Sequence, residues 1–323
     1  MVHTIYGNPK ALQTLTFLKE SGRLCHAYLI TGEQGLGKKT FARRMAAQIL
    51  CKNREAAPCG ECESCVKIEA GAHPDFIPYD GAGAKNSIHI AEVRAIRSDA
   101  FIRPNESEYK VYAVYDCDNM TIGAANALLK VLEEPPRYAV FLLTCKNPGS
   151  LPETIRSRCV EIPLAPVGDG DCKRALDALA PDSSEEERAR AAAACGGNIG
   201  AGLTMLKEGS AQEVLSIAGD IAAAISQPSE YELLSQLARC GTDRMKTAAV
   251  FEQLIRLLRG AMLQKAAGSP GGDELQRALC ARLTLEDFIG VIQAVQEARD
   301  GIDKNAGPAL LCTWVSARIK SIV

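Results

Sequence analysis

No apolar run in the sequence reaches the roughly 18 residues that a membrane-spanning helix requires, so no membrane partner is expected. The first thirteen residues, MVHTIYGNPKALQ, lack the apolar core of a secretory signal. Neither sign of charge is in excess: 37 basic residues face 39 acidic ones, for a net charge of −2. That balance excludes a globally basic nucleic-acid binder while leaving a local basic patch open. Aromatic residues are scarce, at 5%, and are not interleaved with basic ones, which argues against a primary role in stacking single-stranded bases. A cytoplasmic protein is the expectation from these absences.

What is present fits a chain that folds around a core. Of 323 residues, 47% are hydrophobic and 24% charged, and the length allows two or three domains. The 13 cysteines are an odd number. Cys25, Cys145, Cys195, Cys240 and Cys312 stand singly in apolar stretches, where small buried hydrophobes in a reducing compartment are expected. A separate cluster, Cys51, Cys59, Cys62 and Cys65, is treated below.

The first half alternates two periodicities. Strand-like runs cover 27–31, 75–79, 110–116, 139–145 and 160–164, and helix-like segments cover 38–50, 90–100 and 121–134. Apolar strands alternating with helices predict an α/β domain whose parallel sheet is covered on both faces. After Pro166 the character changes. Residues 167–171, VGDGD, read as a linker; two short helices follow, broken at Gly196-Gly197, and from about 212 the chain reads as helices only. Phe251, Leu254, Leu258 and Met262 form one apolar stripe, and Phe288, Ile292 and Val295 another, the latter behind a capping pair, Thr284 and Asp287. The tract 268–274, GSPGGDE, reads as a loop between helices.

Four stretches carry chemistry. Residues 31–42, TGEQGLGKKTFA, nearly spell the phosphate-binding loop G-x-x-x-x-G-K-[ST]. Gly32, Gly35, Gly37 and Lys38 are in place, but Lys39 stands where a Mg²⁺-binding hydroxyl belongs, and Thr40 comes one residue late. In the second stretch, 110–121, an apolar strand leads to Asp116, the position of a Walker B acid near Mg²⁺. The next residue is Cys117, where hydrolysing enzymes carry a carboxylate that polarises the attacking water. Both losses point to absent turnover, with nucleotide binding weak or lost. Third, Cys51, Cys59, Cys62 and Cys65 have the spacing C-x7-C-x2-C-x2-C, which suits four thiolates closing a structural zinc site; an iron–sulfur cluster is the second option. Fourth, Arg156 and Arg158 follow the strand 139–145 within LPETIRSRC. By composition alone they are surface arginines, although an arginine there could also stabilise phosphoryl-transfer charge across a subunit boundary.

Taken together, RLCHAYLITGEQGLGKKTFA (23–42), the four cysteines, HPDF (73–76), YKVYAVYDCDNMTIGAANALLKVLEEPP (109–136) and LPETIRSRC (151–159) closely resemble the bacterial clamp-loader AAA+ subunits of DNA polymerase III, and among them the delta-prime type. The likeness is dense over about residues 5–165 and weaker beyond, where NAGPALL (305–311) is similar to a worn motif of such subunits. The resemblance implies three domains: a RecA-like AAA+ domain over 1–166 with the zinc module inside it, a helical lid over 167–210, and an all-α collar over 211–323 that joins subunits into a ring. It implies gamma/tau and delta subunits as partners, with the sliding clamp and primed DNA reached through the complex, and so a subunit of a DNA polymerase holoenzyme. Lys39, Cys117 and the lack of an arginine in CGGNIGAGLT (195–204) depart from the ATPase-competent pattern and favour an ATPase-deficient stator. Arg158 would then act in trans as the arginine finger of a neighbouring subunit. Thr144 and Asn147 fall in the sensor region without a firm role. Two other readings are an active gamma/tau-type subunit, with Thr40 rotated into the hydroxyl's place, and a zinc-containing nucleic-acid-binding module on an inert phosphate-loop domain.

Overall fold

A computed structural model describes residues 4–21, 24–81, 87–268, 274–303 and 306–323. The alternating periodicities of the first half become α1 (Pro9–Ser21), β1 (Ala27–Thr31), α2 (Lys38–Leu50), α3 (Glu63–Glu69), β2 (Phe76–Tyr79), α4 (Ile90–Ala100), β3 (Lys110–Val114), α5 (Ile122–Glu133), β4 (Ala139–Cys145), α6 (Glu153–Arg156) and β5 (Val160–Pro163). The strands form one sheet in the order β2-β3-β4-β1-β5, with every neighbouring pair parallel. β1, β3 and β4 are buried along their whole length, which is why they read as continuous apolar runs rather than as alternating ones.

The period of two still sorts the side chains between the two faces. Leu29, Tyr112, Val114, Phe141 and Leu143 pack with Val93 and Ile96 of α4 and Leu128 of α5. Tyr28, Ile30, Val111, Val140 and Leu142 pack on the opposite face with Phe41 and Met45 of α2 and Leu15 of α1. Tyr112 and Phe141 stack with ring centroids 5.2 Å apart. Because every strand runs the same way, the loops after β1, β3 and β4 emerge at one edge, where open parallel sheets hold their ligands.

The chain divides into two compact units, one ending at Val167 and the other beginning at Gly168. The second contains α7 (Asp169–Leu179), α8 (Glu185–Ala194), α9 (Ile199–Glu208), α10 (Ala211–Ile225), α11 (Glu230–Ala238), α12 (Arg244–Ala266), α13 (Glu274–Arg282), α14 (Leu285–Asp303) and α15 (Pro308–Lys320). The linker reading of 167–171 needs correction: Gly168 caps α7, and Asp169 and Asp171 lie in its first turn. Acids are stabilising there because the helix N-terminus carries partial positive charge. Gly196 and Gly197 end α8 with φ of 65° and 78°, as the glycine pair predicts. The capping pair before α14 is present: the Thr284 amide donates to Asp287 at 2.8 Å, and the Asp287 amide donates to Thr284 Oγ1 at 3.1 Å. The expected lid–collar boundary falls just after Gly209, whose φ of 65° ends α9. Residues 269–273 of the glycine-rich tract, and Asn305 of NAGPALL, lie outside the described residues.

Among the five solitary cysteines, Cys145, Cys195, Cys240 and Cys312 are buried as expected, whereas Cys25 is exposed. It precedes β1 rather than lying in it. Cys195 is solitary only in sequence: its sulfur lies 3.2 Å from that of Cys172.

Candidate functional site

β1 delivers the chain into the glycine loop, and α2 begins at Lys38. Gly32, Gly35 and Gly37 have φ of 144°, 87° and 84°, a region costly for residues with a Cβ. At Gly32 a Cβ would also lie 2.6 Å from the Leu164 carbonyl oxygen, so only glycine fits. The Gly32 amide donates to the Cys145 carbonyl at 3.2 Å and joins the loop to β4. Lys38 is 7% exposed. Its ammonium donates to the carbonyls of Gly32 at 2.6 Å and Glu33 at 3.0 Å. Burial lowers its pKa below the ordinary lysine value, against the opposing pull of Asp116 and Asp118. Thr40 lies half-buried in the first turn of α2.

Lys39 and Asp116 come together. The Lys39 ammonium lies 2.5 Å from Asp80 Oδ1 and 3.2 Å from Asp116 Oδ2, and 5.1 Å from the centre of the Tyr115 ring. Partial burial works against its charge, but Asp80 and Asp116 outweigh that and raise its pKa. Asp116 sits in left-handed backbone, at φ 52° and ψ 51°, with its amide donating to Thr144 Oγ1 at 2.9 Å. Buried Thr144 thus fixes the backbone that carries the acid. Asp80 was not singled out from the sequence, because it stands 41 residues from Lys39 with no periodicity to mark it.

Cys117 is 1% exposed within the core cluster under α4 and α5, and its thiol donates to the Val114 carbonyl at 3.4 Å. Burial holds its pKa well above the ordinary thiol value. A neutral, buried thiol cannot take a proton from water at neutral pH. Asp118, also missed from sequence, accepts from the amides of Lys146 at 2.7 Å and Asn147 at 2.9 Å and from Ser150 Oγ at 3.0 Å. It anchors the loop after β4. The Asn147 side chain accepts from the Gly149 amide at 2.9 Å and caps the turn that follows.

The four cysteines converge. Cys51 follows the last residue of α2, Cys62 caps α3 and Cys65 lies within it. Their sulfurs all lie within 4.8 Å of one another, with Cys51–Cys59 at 3.6 Å and Cys51–Cys62 at 3.8 Å. A tetrahedron with Zn–S bonds of about 2.3 Å has edges of about 3.8 Å, so these spacings fit a four-thiolate zinc site. The Cys62 amide donates to Cys59 Sγ at 3.3 Å, the kind of outer bond that stabilises thiolate charge. All four ligand positions would be filled by protein, leaving the metal a structural part.

Arg158 follows α6. One Nη donates to the Thr154 carbonyl at 2.8 Å, and the other pairs with Glu133 Oε1 at 2.8 Å. Among the described residues these bonds tie it to α5 and α6 and not to loop 32–40 or Asp116. Arg156 is exposed, in the last turn of α6.

The family model for "DNA polymerase III, delta subunit" matches residues 7–168, half of the chain. The chain belongs to the clamp-loader subunit family of DNA polymerase III. This clamp-loader protein is 37% identical over 161 residues to DNA polymerase III subunit delta' of Bacillus subtilis, covering 49% of the chain and 48% of that relative. It is 36% identical over 174 residues to subunit delta' of Pseudomonas aeruginosa, covering 54% of the chain and 53% of the relative. Similarity to subunit tau of Bacillus subtilis is lower, 29%, but runs over 332 aligned residues, covering 93% of the chain and 57% of tau. The chain therefore spans about half the length of the curated relatives it matches. Among the described residues, no helix of this clamp-loader protein is long and apolar enough to cross a membrane.

Proposed function

We propose that the chain is a delta-prime-type stator: it does not hydrolyse ATP, and it presents Arg158 to the ATP held by a neighbouring gamma/tau subunit while the sliding clamp is opened and placed on primed DNA. Its domains would be the AAA+ module with its zinc site (1–166), a lid (167–210) and a ring-forming collar (211–323), with gamma/tau and delta as neighbours. The observation that carries the proposal is the Lys39 ammonium against Asp116 and Asp80. A tethered cation occupies the acid that would otherwise help to hold Mg²⁺, and a metal ion at β- and γ-oxygens is what neutralises the charge developing in phosphoryl transfer. Buried Cys117 removes the carboxylate that would activate water. Two independent parts of the chemistry are thus missing, which supports the stator over the gamma/tau reading. The zinc site fits a scaffold as well as a nucleic-acid contact, and the net charge of −2 does not favour the latter.

Steady-state phosphate release by the purified chain tests this reading. The expected result is no turnover above that of the Lys38→Ala variant. Turnover that Lys38→Ala abolishes would make the chain an active gamma/tau-type subunit.

A further inference from the structure

We propose that Glu133 is the positioning residue of Arg158. This inference rests on the trans-acting arginine proposed above. Arg158 is mounted on a short element held by its core contact: Ile155 is fully buried, and the Arg158 amide donates to the Ile155 carbonyl at 3.1 Å. Glu133 ends α5, whose last turns are anchored by Leu128, Val131 and Leu132, each at most 1% exposed. The guanidinium is gripped at two points that belong to different elements: the Thr154 carbonyl behind it and Glu133 Oε1 beside it, both at 2.8 Å. A guanidinium carries five N–H donors in a rigid plane. Two are engaged, and among the described residues the other three have no partner. One edge is therefore fixed, and the rest stays available to a phosphate.

A carboxylate beside a cation also lowers the positive field that a phosphate would meet, and the sign of Glu133's effect depends on which contribution is larger. The pair is partly exposed, 34% for the arginine side chain and 50% for the glutamate, so solvent screens it and its electrostatic contribution is small. Misplacing a catalytic group by about 1 Å, in contrast, costs up to ~10²-fold in rate. A free arginine side chain samples many rotamers, and holding it in one is the larger effect. Glu133 thus raises the rate by orienting Arg158.

The test uses the reconstituted clamp-loader ring, stimulated by clamp and primed DNA, with this chain as wild type, Glu133→Ala, Glu133→Gln, Arg158→Ala or the double alanine variant. Each ring is checked for assembly. Glu133→Ala should lower kcat roughly three- to tenfold at the site that depends on Arg158, with KM for ATP unchanged, because transition-state and not ground-state contacts are affected. Glu133→Gln keeps an acceptor oxygen and should retain most of the rate. The double variant should be no slower than Arg158→Ala alone. A Glu133→Ala ring at or above the wild-type rate, or a double variant slowed by the product of the two single effects, overturns the inference while leaving the finger in place. If Arg158→Ala rings turn over and load clamps normally, the finger reading fails and the positioning role fails with it.

Discussion

Asp75 shows what one carboxylate does for this fold. It lies in the HPDF stretch, fully buried. It accepts from the amides of Asn105, Glu106 and Ser107 at 2.6, 2.8 and 2.9 Å, and from the Asn105 side chain at 3.2 Å. Burial pushes its pKa up, but the donors outweigh this and hold it below the ordinary carboxylate value. A carboxyl whose folded pKa is depressed contributes stability that is fully present above its unfolded value. That stability is lost as pH falls through the folded one. Asp75→Asn should therefore lower stability by about 2 kcal/mol near pH 7. The gap to wild type should narrow below about pH 4. Denaturant melts at pH 7, 5 and 3 measure it, and a gap that does not change with pH would rule the charge out. The motif was legible in sequence as a family mark; its purpose was not, because the loop it pins lies 30 or more residues away.

At the scale of elements, the four-cysteine cluster joins the end of α2 to α3. Helix 63–69 has only seven residues, too few to be stable alone. Sequence periodicity gave no sign of it, yet Cys65 and Ile68 on it are buried. Closure of the four thiolates on one ion would supply the missing constraint, since binding free energy at such a site is folding free energy. Protein purified without added metal should contain about one equivalent of zinc. Cys62→Ser should lose it and speed amide exchange over residues 51–70, with exchange in the helices after Gly168 unchanged. Metal-free protein with full protection over 51–70 would refute the assignment. The helices of the second unit were easier to read, because Gly pairs, capping acids and apolar stripes are local signals.

The whole chain folds as two units, and the first is closed on itself: Asn8 Nδ2 donates to the Ala165 carbonyl at 3.1 Å, and the Ala165 amide donates to Asn8 Oδ1 at 2.7 Å. These bonds connect the segment before α1 to the segment after β5. A fragment of residues 1–167 should accordingly unfold in one cooperative thermal transition and keep its zinc. A fragment that is unfolded or metal-free at room temperature would mean that the sheet needs the helical unit.

The five strands and the long helices, the phosphate-loop spacing, the missing hydroxyl at Lys39, Cys117 in the carboxylate position and the four-thiol spacing were legible in the sequence alone, whereas α1, α3 and the start of α7 were not. Each legible feature is a signal within a short window, set by backbone periodicity or by ligand spacing. The tertiary structure decided which distant groups meet: Lys39 with Asp80 across 41 residues, Arg158 with Glu133 across 25, Asp118 with the loop after β4 across 28, and Cys195 with Cys172 across 23. None of these pairs shares a helix or an adjacent turn. A parallel sheet joins its strands through crossovers, so Lys39, Asp80 and Asp118, at its loop-bearing edge, come from separate segments that only the packed sheet brings together; the packing of helices does the same for Cys172 with Cys195 and for Arg158 with Glu133.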